Sequence, residues 1–147
     1  MITKAVVMTN PGKLAVEEVN IRERSVEDVI VDIHYSGIST GTEKLFWNGK
    51  MPPFPGMGYP LVPGYESTGE VVSAHKSSGL KPGDFVFVPG ADCFANPVRS
   101  LFGGAAKRVA SPAKRLIKID PGMGANGALF ALAATARHAI AGFGNKM

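Results

Sequence analysis

Residues 62–72, VPGYESTGEVV, decide how the chain folds. Gly64 and Gly69 enclose a short polar cluster with Glu66 inside it, and a strand-like run begins at Val71. Glycine on both sides of such a cluster indicates a backbone that turns tightly or lies very close to a neighbouring strand. A carboxylate in so crowded a place is costly unless it is hydrogen-bonded or paired, so Glu66 needs a structural or a chemical explanation.

Short strand-like runs separated by turn signals continue on both sides of this stretch. Residues 2–21 form two runs around an Asn-Pro-Gly turn, and residues 27–39 alternate strictly between the two faces of a strand. Val29, Val31, Ile33 and Tyr35 share the face that we expect to be buried. Further runs occupy residues 66–75, 80–90, 105–110 and 115–119. Six or more such strands predict a barrel or a sandwich.

The composition supports a single β-rich domain. The chain has 147 residues, of which 45% are hydrophobic and 19% charged, so it can bury a core and is not disordered. Its 18 glycines and 11 prolines suit a sheet protein with many turns and exclude a helical bundle.

Charge and cysteine content exclude several classes of protein. The net charge is +4, but the basic residues are scattered or alternate with apolar ones, so no nucleic-acid partner is expected. The single cysteine, Cys93, rules out a disulfide within the chain and a four-cysteine zinc site. No apolar stretch reaches membrane-spanning length and no signal peptide precedes the first strand, so we expect a cytoplasmic protein without a membrane span.

Residues 124–142, GANGALFALAATARHAIAG, contain the one convincing helix. Leu129, Leu132 and Ile140 fall on one face together with two alanines, Asn126 is the expected N-cap, and Gly142 is the expected stop. An alanine-rich helix at the end of a β domain is expected to contact a further element that this chain does not contain.

Five blocks, in order, carry a family resemblance: YSGIST, PLVPGYESTGEVV, LKPGDFVFVPG, GGAAKRVASPAKRLIKIDPGM and AATARHAI. Together they resemble the N-terminal, GroES-like half of the medium-chain dehydrogenase/reductase superfamily. The resemblance implies a mainly β fold with a C-terminal helix, arranged as a partly open GroES-like β-barrel. It places the catalytic (substrate) domain in residues 1–124, and residues 125–147 then lead towards an NAD-binding Rossmann domain. The spacing G-x-G-x-x-G occurs at residues 122–127, GMGANG, where it overlaps the fourth family block. One helix and no further strand-like run follow it, so it lacks the βαβ context of a dinucleotide-binding turn and we expect the Rossmann domain to be missing.

Within this superfamily, residues 36–66 are most similar to the dehydrogenases that oxidise the 3-(1-hydroxyethyl) group of bacteriochlorophyllide a to 3-acetyl in bacteriochlorophyll biosynthesis. The resemblance implies NAD as cofactor, a bacteriochlorophyllide-type pigment as substrate, and a homodimer formed through the missing domain. The chain alone is expected to be inactive. Two alternatives stay open: a zinc-free quinone or enone reductase of the same superfamily, and a GroES-like binding module without chemistry.

The resemblance also predicts that no zinc is bound. Zinc-dependent members carry a cysteine, a histidine and a second cysteine at the positions of Ser39, Tyr65 and Ala131, and only the glutamate of their site remains, as Glu66. A serine, a tyrosine and one carboxylate do not make a zinc site of ordinary affinity.

Without zinc, hydroxyl groups are the candidates for handling the alcohol proton. Ser39, Thr40, Thr42 and Tyr65 can each donate and accept hydrogen bonds, so a chain of them could relay a proton, and Glu66 could set the proton affinity of Tyr65. The alternative is structural: residues 39–42 turn the chain after a strand, and Glu66 caps backbone amides or pairs with a buried cation.

Other polar residues receive more modest expectations. Thr135 matches the family threonine beside the nicotinamide ring, or it bonds back one turn of its helix. His138 is expected to be structural, Glu43 to pair with Lys44 or another solvent-facing base, and Cys93 not to be a nucleophile.

The stretch 46–65 combines five aromatic residues with five prolines. Trp47, Phe54 and Tyr59 are the candidates for stacking on a flat apolar pigment, and Lys44 or Lys50 could bind a propionate. The alternative is that these rings plug the end of the barrel.

Overall fold

The computed structural model describes residues 1–100 and 102–144. These ranges contain seven strands: β1 (Ile2–Asn10), β2 (Lys13–Asn20), β3 (Asp28–Ser36), β4 (Ser67–Ser73), β5 (Phe85–Val88), β6 (Arg108–Pro112) and β7 (Ile117–Lys118). Long connections precede β4 and β6. Two α-helices are present, α1 (Thr42–Trp47) and α2 (Phe130–Gly144), and a 3₁₀ segment, Pro121–Leu129, leads into α2. The predicted segment 125–147 is therefore described only as far as Gly144.

The strands form two antiparallel groups. β1 and β2 make a hairpin, and the other five form a sheet in the order β6-β3-β4-β5-β7. Isolated bridges, Ala5 to Ala106 and Met8 to Leu61, connect the hairpin to the loops beside the sheet. Over the described ranges the two groups do not close into one barrel. The predicted mainly β, partly open architecture with a C-terminal helix is thus confirmed.

The core lies between the hairpin and the sheet. Its largest cluster draws valines, isoleucines and alanines from both groups of strands, and side chains such as Val7, Val31 and Val86 are completely buried. A second cluster, centred on Met8, Phe46 and Leu61, closes one end. A third, Phe85, Phe87 and Ile119, lies under the start of α2.

Gly69 marks the closest approach of two strands. It pairs with Ile33 across β3 and β4, and a methyl group on it would overlap the Asp32 carbonyl oxygen. Gly69 is therefore required by packing.

On the other side of β3, Arg108 holds Asp32 with two hydrogen bonds, one of them 2.7 Å from Nη2 to Oδ2. This guanidinium holds the pKa of Asp32 below its usual value.

β3 does not keep one buried face along its whole length. Val29, Ile30 and Val31 are all buried, whereas Tyr35 is 46% exposed. The prediction that Tyr35 is buried is wrong because the pairing with β4 shifts register between Ile33 and Tyr35, and such an irregularity interrupts the period-two pattern.

The C-terminal helix begins and ends differently from the prediction. The Asp120 side chain accepts a hydrogen bond from the Gly122 amide at 2.8 Å, so it caps the 3₁₀ segment that contains Asn126. The α-helix then begins at Phe130 and continues past Gly142. Leu129, Leu132 and Ile140, on the predicted apolar face, are more than half exposed.

Among the described residues, no helix is long and apolar enough to cross a membrane.

Candidate functional site

Glu66 is buried at the point where the chain enters β4. Its residue is only 5% exposed, and its backbone carbonyl accepts a 2.6 Å hydrogen bond from the Gly37 amide. Gly37 has no side chain because a Cβ there would lie 2.7 Å from Glu66 Oε2. The other oxygen, Oε1, has no hydrogen-bond partner among the described residues. The expected cation partner is therefore not found there, and half of this buried carboxylate is unsatisfied.

The backbone before Glu66 is held tightly in place. Gly64 has φ +96°, a conformation that favours glycine, and a Cβ on it would lie 2.7 Å from the Ala105 amide nitrogen and 3.0 Å from Ser36 Oγ. The Gly104 amide donates to the Gly64 carbonyl at 2.8 Å. The close contact between Gly64 and the backbone of residues 104–105 fixes the direction in which the next two side chains, Tyr65 and Glu66, leave the loop.

Three of the predicted relay hydroxyls come together at the start of α1. Thr42 Oγ1 lies 3.3 Å from the Tyr65 hydroxyl, and the Thr42 amide donates to Ser39 Oγ at 3.3 Å. Thr40 is exposed and makes no hydrogen bond to these groups. Ser39 does turn the chain into a helix, as the structural alternative holds, while Thr42 and Tyr65 keep a hydroxyl pair with free hydrogen-bonding capacity.

Glu43 is the residue that sequence reasoning misjudged. It does not extend to Lys44 or to solvent: the residue is 6% exposed, and its Oε2 has no partner among the described residues. Burial raises the pKa of Glu43, the amides of Glu43 and Ser39 oppose that change, and the negative charge of Glu66 adds to it. T-x-x-E at residues 40–43, before the apolar Leu45 and Phe46, is typical of a helix start, but it does not indicate that Glu43 is buried.

A cleft of about 410 Å³ opens beside Glu43. We call it the hairpin cleft, because the β1–β2 hairpin forms one wall and the end of β3 the other. Apolar side chains dominate its lining: Val6, Leu14, Val16, Ile33 and Ile38. Lys4, His34 and Lys107 contribute the other titratable groups, besides Glu43. A mostly apolar cleft with a few convergent polar groups is the usual form of a small-molecule site.

Some side chains of the aromatic stretch pack against the core, and others are exposed. Phe54 and Tyr59 are half-buried against the second cluster, and the Tyr59 hydroxyl donates to the Phe46 carbonyl oxygen. These two rings behave as the plug of the alternative interpretation. Trp47, by contrast, is 43% exposed, and Lys44 and Lys50 are exposed as well. Trp47 thus keeps the most ring surface available to a ligand.

Residues predicted on the C-terminal helix lie outside this cluster. Thr135 is exposed, and its hydroxyl donates to the Ala131 carbonyl at 3.0 Å, one turn earlier. This is the bond that the structural alternative expected. His138 is also exposed.

Cys93 is completely buried, and burial raises its pKa to about 11, so its thiol is poorly suited to act as a nucleophile at neutral pH.

The residues at the family's zinc positions do not fit a zinc ion. Ala131 has no ligand atom and packs beside the third cluster, and Ser39 Oγ is already occupied by the Thr42 amide. Within residues 1–100 and 102–144, no three His, Cys, Asp or Glu side chains converge as a metal site would require. Neutral hydroxyls are poor zinc ligands beside the thiolates and imidazoles that the ion prefers.

Comparison with known proteins identifies the fold family. Residues 25–121 match the model of the alcohol dehydrogenase GroES-like domain. The chain belongs to this family. The GroES-like resemblance seen in the sequence is thereby confirmed.

Two curated relatives of this GroES-like domain are similar along its whole length. One, from Rhodobacter capsulatus, is 58% identical over 147 residues and is named 2-desacetyl-2-hydroxyethyl bacteriochlorophyllide A dehydrogenase. A protein of the same name from Cereibacter sphaeroides is 58% identical over 146 residues. The matches cover 100% and 97% of this chain but only 47% and 46% of the relatives. The chain thus spans about half the length of the curated relatives it matches.

Two solved structures share this fold. A probable oxidoreductase from Mycobacterium abscessus superposes with a TM-score of 0.67 at 28% identity, over 87% of this chain and 38% of the other. A protein described as a zinc-binding dehydrogenase from Sinorhizobium meliloti 1021, bound to NADP, gives a TM-score of 0.67 at 26% identity, over 88% of this chain and 42% of that one.

Proposed function

We propose that this chain is the substrate-binding half of an NAD-dependent dehydrogenase that oxidises the 3-(1-hydroxyethyl) group of bacteriochlorophyllide a to 3-acetyl in bacteriochlorophyll biosynthesis. The observation that carries the proposal is the 58% identity, along the entire chain, with two dehydrogenases named for that pigment. The matched ranges cover nearly the whole chain and so extend through the loops, where specificity is usually determined.

In this proposal one domain binds the substrate and a second domain binds the cofactor, as the family resemblance implies. NAD would supply the acceptor for the hydride and would be held mainly by a Rossmann domain, for which residues 1–147 offer no βαβ unit. Thr135 is the residue of this chain that we assign to the cofactor, and its exposure on α2 leaves it accessible. The domain division at residue 124 and a homodimer through the second domain belong to the same proposal, as does a cytoplasmic location. Residues 1–147 alone are inactive in this scheme.

The hydroxyl cluster would handle the alcohol proton. Thr42 and Tyr65 form a hydrogen-bonded pair that can accept a proton at one oxygen and release it at the other. The Ser39 hydroxyl accepts a hydrogen bond from the Thr42 amide and so helps to hold Thr42 in place. Glu66 directly follows Tyr65 in the sequence. The acetyl product is conjugated with the macrocycle, so less electrophilic assistance is needed and correct positioning carries more of the catalysis.

Zinc independence is part of the proposal, and it rests on the donor atoms. Ser39, Tyr65 and Ala131 stand at the three ligand positions and supply no thiolate or imidazole. Metal analysis of the complete gene product tests this directly. We expect no stoichiometric zinc and no loss of activity with a chelator, whereas zinc that rises and falls with activity would contradict it.

Pigment binding is assigned to the aromatic stretch. Trp47 offers exposed ring surface for stacking, while Phe54 and Tyr59 support the loop from within and present only part of their rings. Lys44 or Lys50, both exposed on the same stretch, would meet a propionate carboxylate of the pigment.

The test uses the complete gene product with NAD and 3-hydroxyethyl bacteriochlorophyllide. We expect a red shift of the long-wavelength pigment band together with formation of NADH. If neither appears with NAD or NADP, while a quinone or an enone is reduced, the quinone/enone reductase alternative replaces this function. If no substrate is turned over, the chain is better described as a GroES-like binding module.

A further inference from the structure

Glu43 and Glu66 form a buried acidic pair that the hydroxyl relay does not explain. Both residues are at least nine-tenths buried, and each leaves one carboxylate oxygen without a hydrogen-bond partner among the described residues. Unpartnered buried carboxylate oxygens are rare in native structures, and a bound water or ion, local strain or a catalytic role explains those that occur.

The position of Glu43 distinguishes it from Glu66. Glu43 contributes to the lining of the hairpin cleft, whereas Glu66 is separated from that lining by Gly37, which presses directly against it. The preceding residue, Thr42, carries the hydroxyl that contacts Tyr65. Glu43 therefore lies where the apolar cleft meets the hydroxyl cluster, and Glu66 lies behind it.

Given the dehydrogenase function proposed above, on which this inference rests, we propose that Glu43 is the general base that accepts the alcohol proton of the substrate. The hydroxyethyl group would enter the hairpin cleft and place its oxygen at the Glu43 carboxylate. There the O–H bond breaks and its electron pair becomes the second bond of the carbonyl. The hydride leaves the same carbon for the oxidised nicotinamide, and Glu43 takes the proton, which the Thr42–Tyr65 hydroxyl pair would then relay to water.

The surroundings make the Glu43 carboxylate more basic. Burial raises the pKa of Glu43, and the charge of Glu66 raises it further, so the carboxylate is a stronger base than an exposed glutamate. The other titratable groups that line the cleft are Lys4 from β1, His34 from β3 and Lys107 from the loop before β6, and Tyr65 contacts the neighbouring residue Thr42. None of these forms an ion pair with Glu43 in the described ranges.

Glu43→Gln in the complete gene product is the decisive variant, because it keeps the shape of the side chain and removes its basicity. We expect kcat for the pigment to fall about 100-fold or more. The acidic limb of the wild-type pH–rate profile should disappear. Pigment binding, measured through the pigment's own absorption, should stay within about twofold. Glu43→Asp should retain the acidic limb with a smaller loss of kcat.

Glu70→Gln is the matched control, because Glu70 is an exposed glutamate on β4 whose loss should change neither kcat nor the profile. If Glu43→Gln retains wild-type kcat and its acidic limb, or loses pigment binding together with kcat, Glu43 is not the base. If the wild-type protein itself does not oxidise the pigment, the proposed function fails and the base assignment fails with it. The two failures are therefore distinguishable.

Discussion

Thr42 and Tyr65 are separated by 23 residues in the sequence, yet their hydroxyl oxygens lie 3.3 Å apart. The contact joins the first turn of α1 to the glycine-flanked loop that opens β4. The ring of Tyr65 also packs against Phe102, with centroids 5.5 Å apart, so the phenol is held from two sides. Two hydroxyls held in this way form a fixed pair, and each is followed in the sequence by a buried glutamate, Glu43 or Glu66. The proposed function uses this pair as a proton relay.

The first prediction concerns this hydroxyl pair. Replacing Thr42 by Val or Tyr65 by Phe removes one oxygen and leaves the shape of the side chain nearly unchanged. We expect kcat of the complete enzyme to fall about 10- to 100-fold, with the KM for pigment little changed, because the lost contact serves proton transfer. Steady-state kinetics with the bacteriochlorophyllide measures both constants.

Two controls make this result specific. Thr42→Ser keeps a hydroxyl and should recover most of the activity. Tyr35→Phe removes the hydroxyl of a tyrosine that is 46% exposed on β3, and it should leave kcat unchanged. Full activity in both Thr42→Val and Tyr65→Phe would remove the pair from the mechanism.

A second prediction tests the close contact between β3 and β4. Gly69→Ala places a methyl group on the Asp32 carbonyl oxygen, so the strands must separate. We expect a loss of about 3 kcal/mol or more in the free energy of unfolding, since backbone cannot yield as a flexible side chain can. Gly142→Ala, which meets nothing within 4 Å on α2, should stabilise by up to about 1 kcal/mol. Equal effects of the two substitutions in urea unfolding would refute this assignment.

The third prediction is a pH dependence of stability. Because burial raises the pKa of Glu43, the folded chain binds that proton more tightly than the unfolded chain does. The resulting stability is fully present below the ordinary glutamate pKa and is lost as the pH rises through the folded-state pKa. Glu43→Gln is neutral throughout, so it should match the wild type in acid and exceed it at neutral pH by about 1–3 kcal/mol.

Urea unfolding at several pH values measures this difference. The exposed Glu70→Gln variant should run parallel to the wild type over the same range, which separates the effect of burial from a general change in net charge. A Glu43→Gln variant that is less stable than the wild type at neutral pH would mean that the ionised carboxylate has a partner that stabilises it.

The fourth prediction assigns pigment contact to Trp47. Its ring is 43% exposed, and loss of one aromatic stacking contact is expected to raise the KM for pigment about two- to tenfold with kcat unchanged. Trp47→Phe keeps a ring and should lie between Trp47→Ala and the wild type. Ile117→Ala, a change of an exposed apolar residue on β7, is the remote control and should leave the KM unaltered. An unchanged KM in Trp47→Ala would remove this residue from the pigment site.

The strands could be predicted from the sequence because local rules determine them. Alternation and turn residues located β1 and β2 around the Asn-Pro-Gly turn and β4 after Glu66. Where a non-local irregularity intervenes, the same rules fail, as at Tyr35, where a register shift in the β3–β4 pairing leaves the ring exposed. The apolar face of α2 was also predicted from the helical period. Whether that face is buried depends on the elements that pack against it, which the local sequence does not determine.

The candidate site was only partly predictable. The hydroxyls of Ser39, Thr42 and Tyr65 could be proposed from the family blocks, and the structure brings them together. Glu43 could not be recognised as buried, because α1 is only six residues long and gives a weak periodic signal. Its burial depends on the distant loop around Gly64, which no local pattern near residue 43 contains.

Isotope transfer measures the central claim most directly. The pigment is prepared with deuterium on the carbinol carbon of its hydroxyethyl group and incubated with NAD and the complete gene product. We predict that the deuterium appears in the reduced nicotinamide and that the pigment becomes the unlabelled 3-acetyl compound. Deuterium that stays in the pigment, or is released to water without reduction of NAD, would contradict a hydride-transferring dehydrogenase.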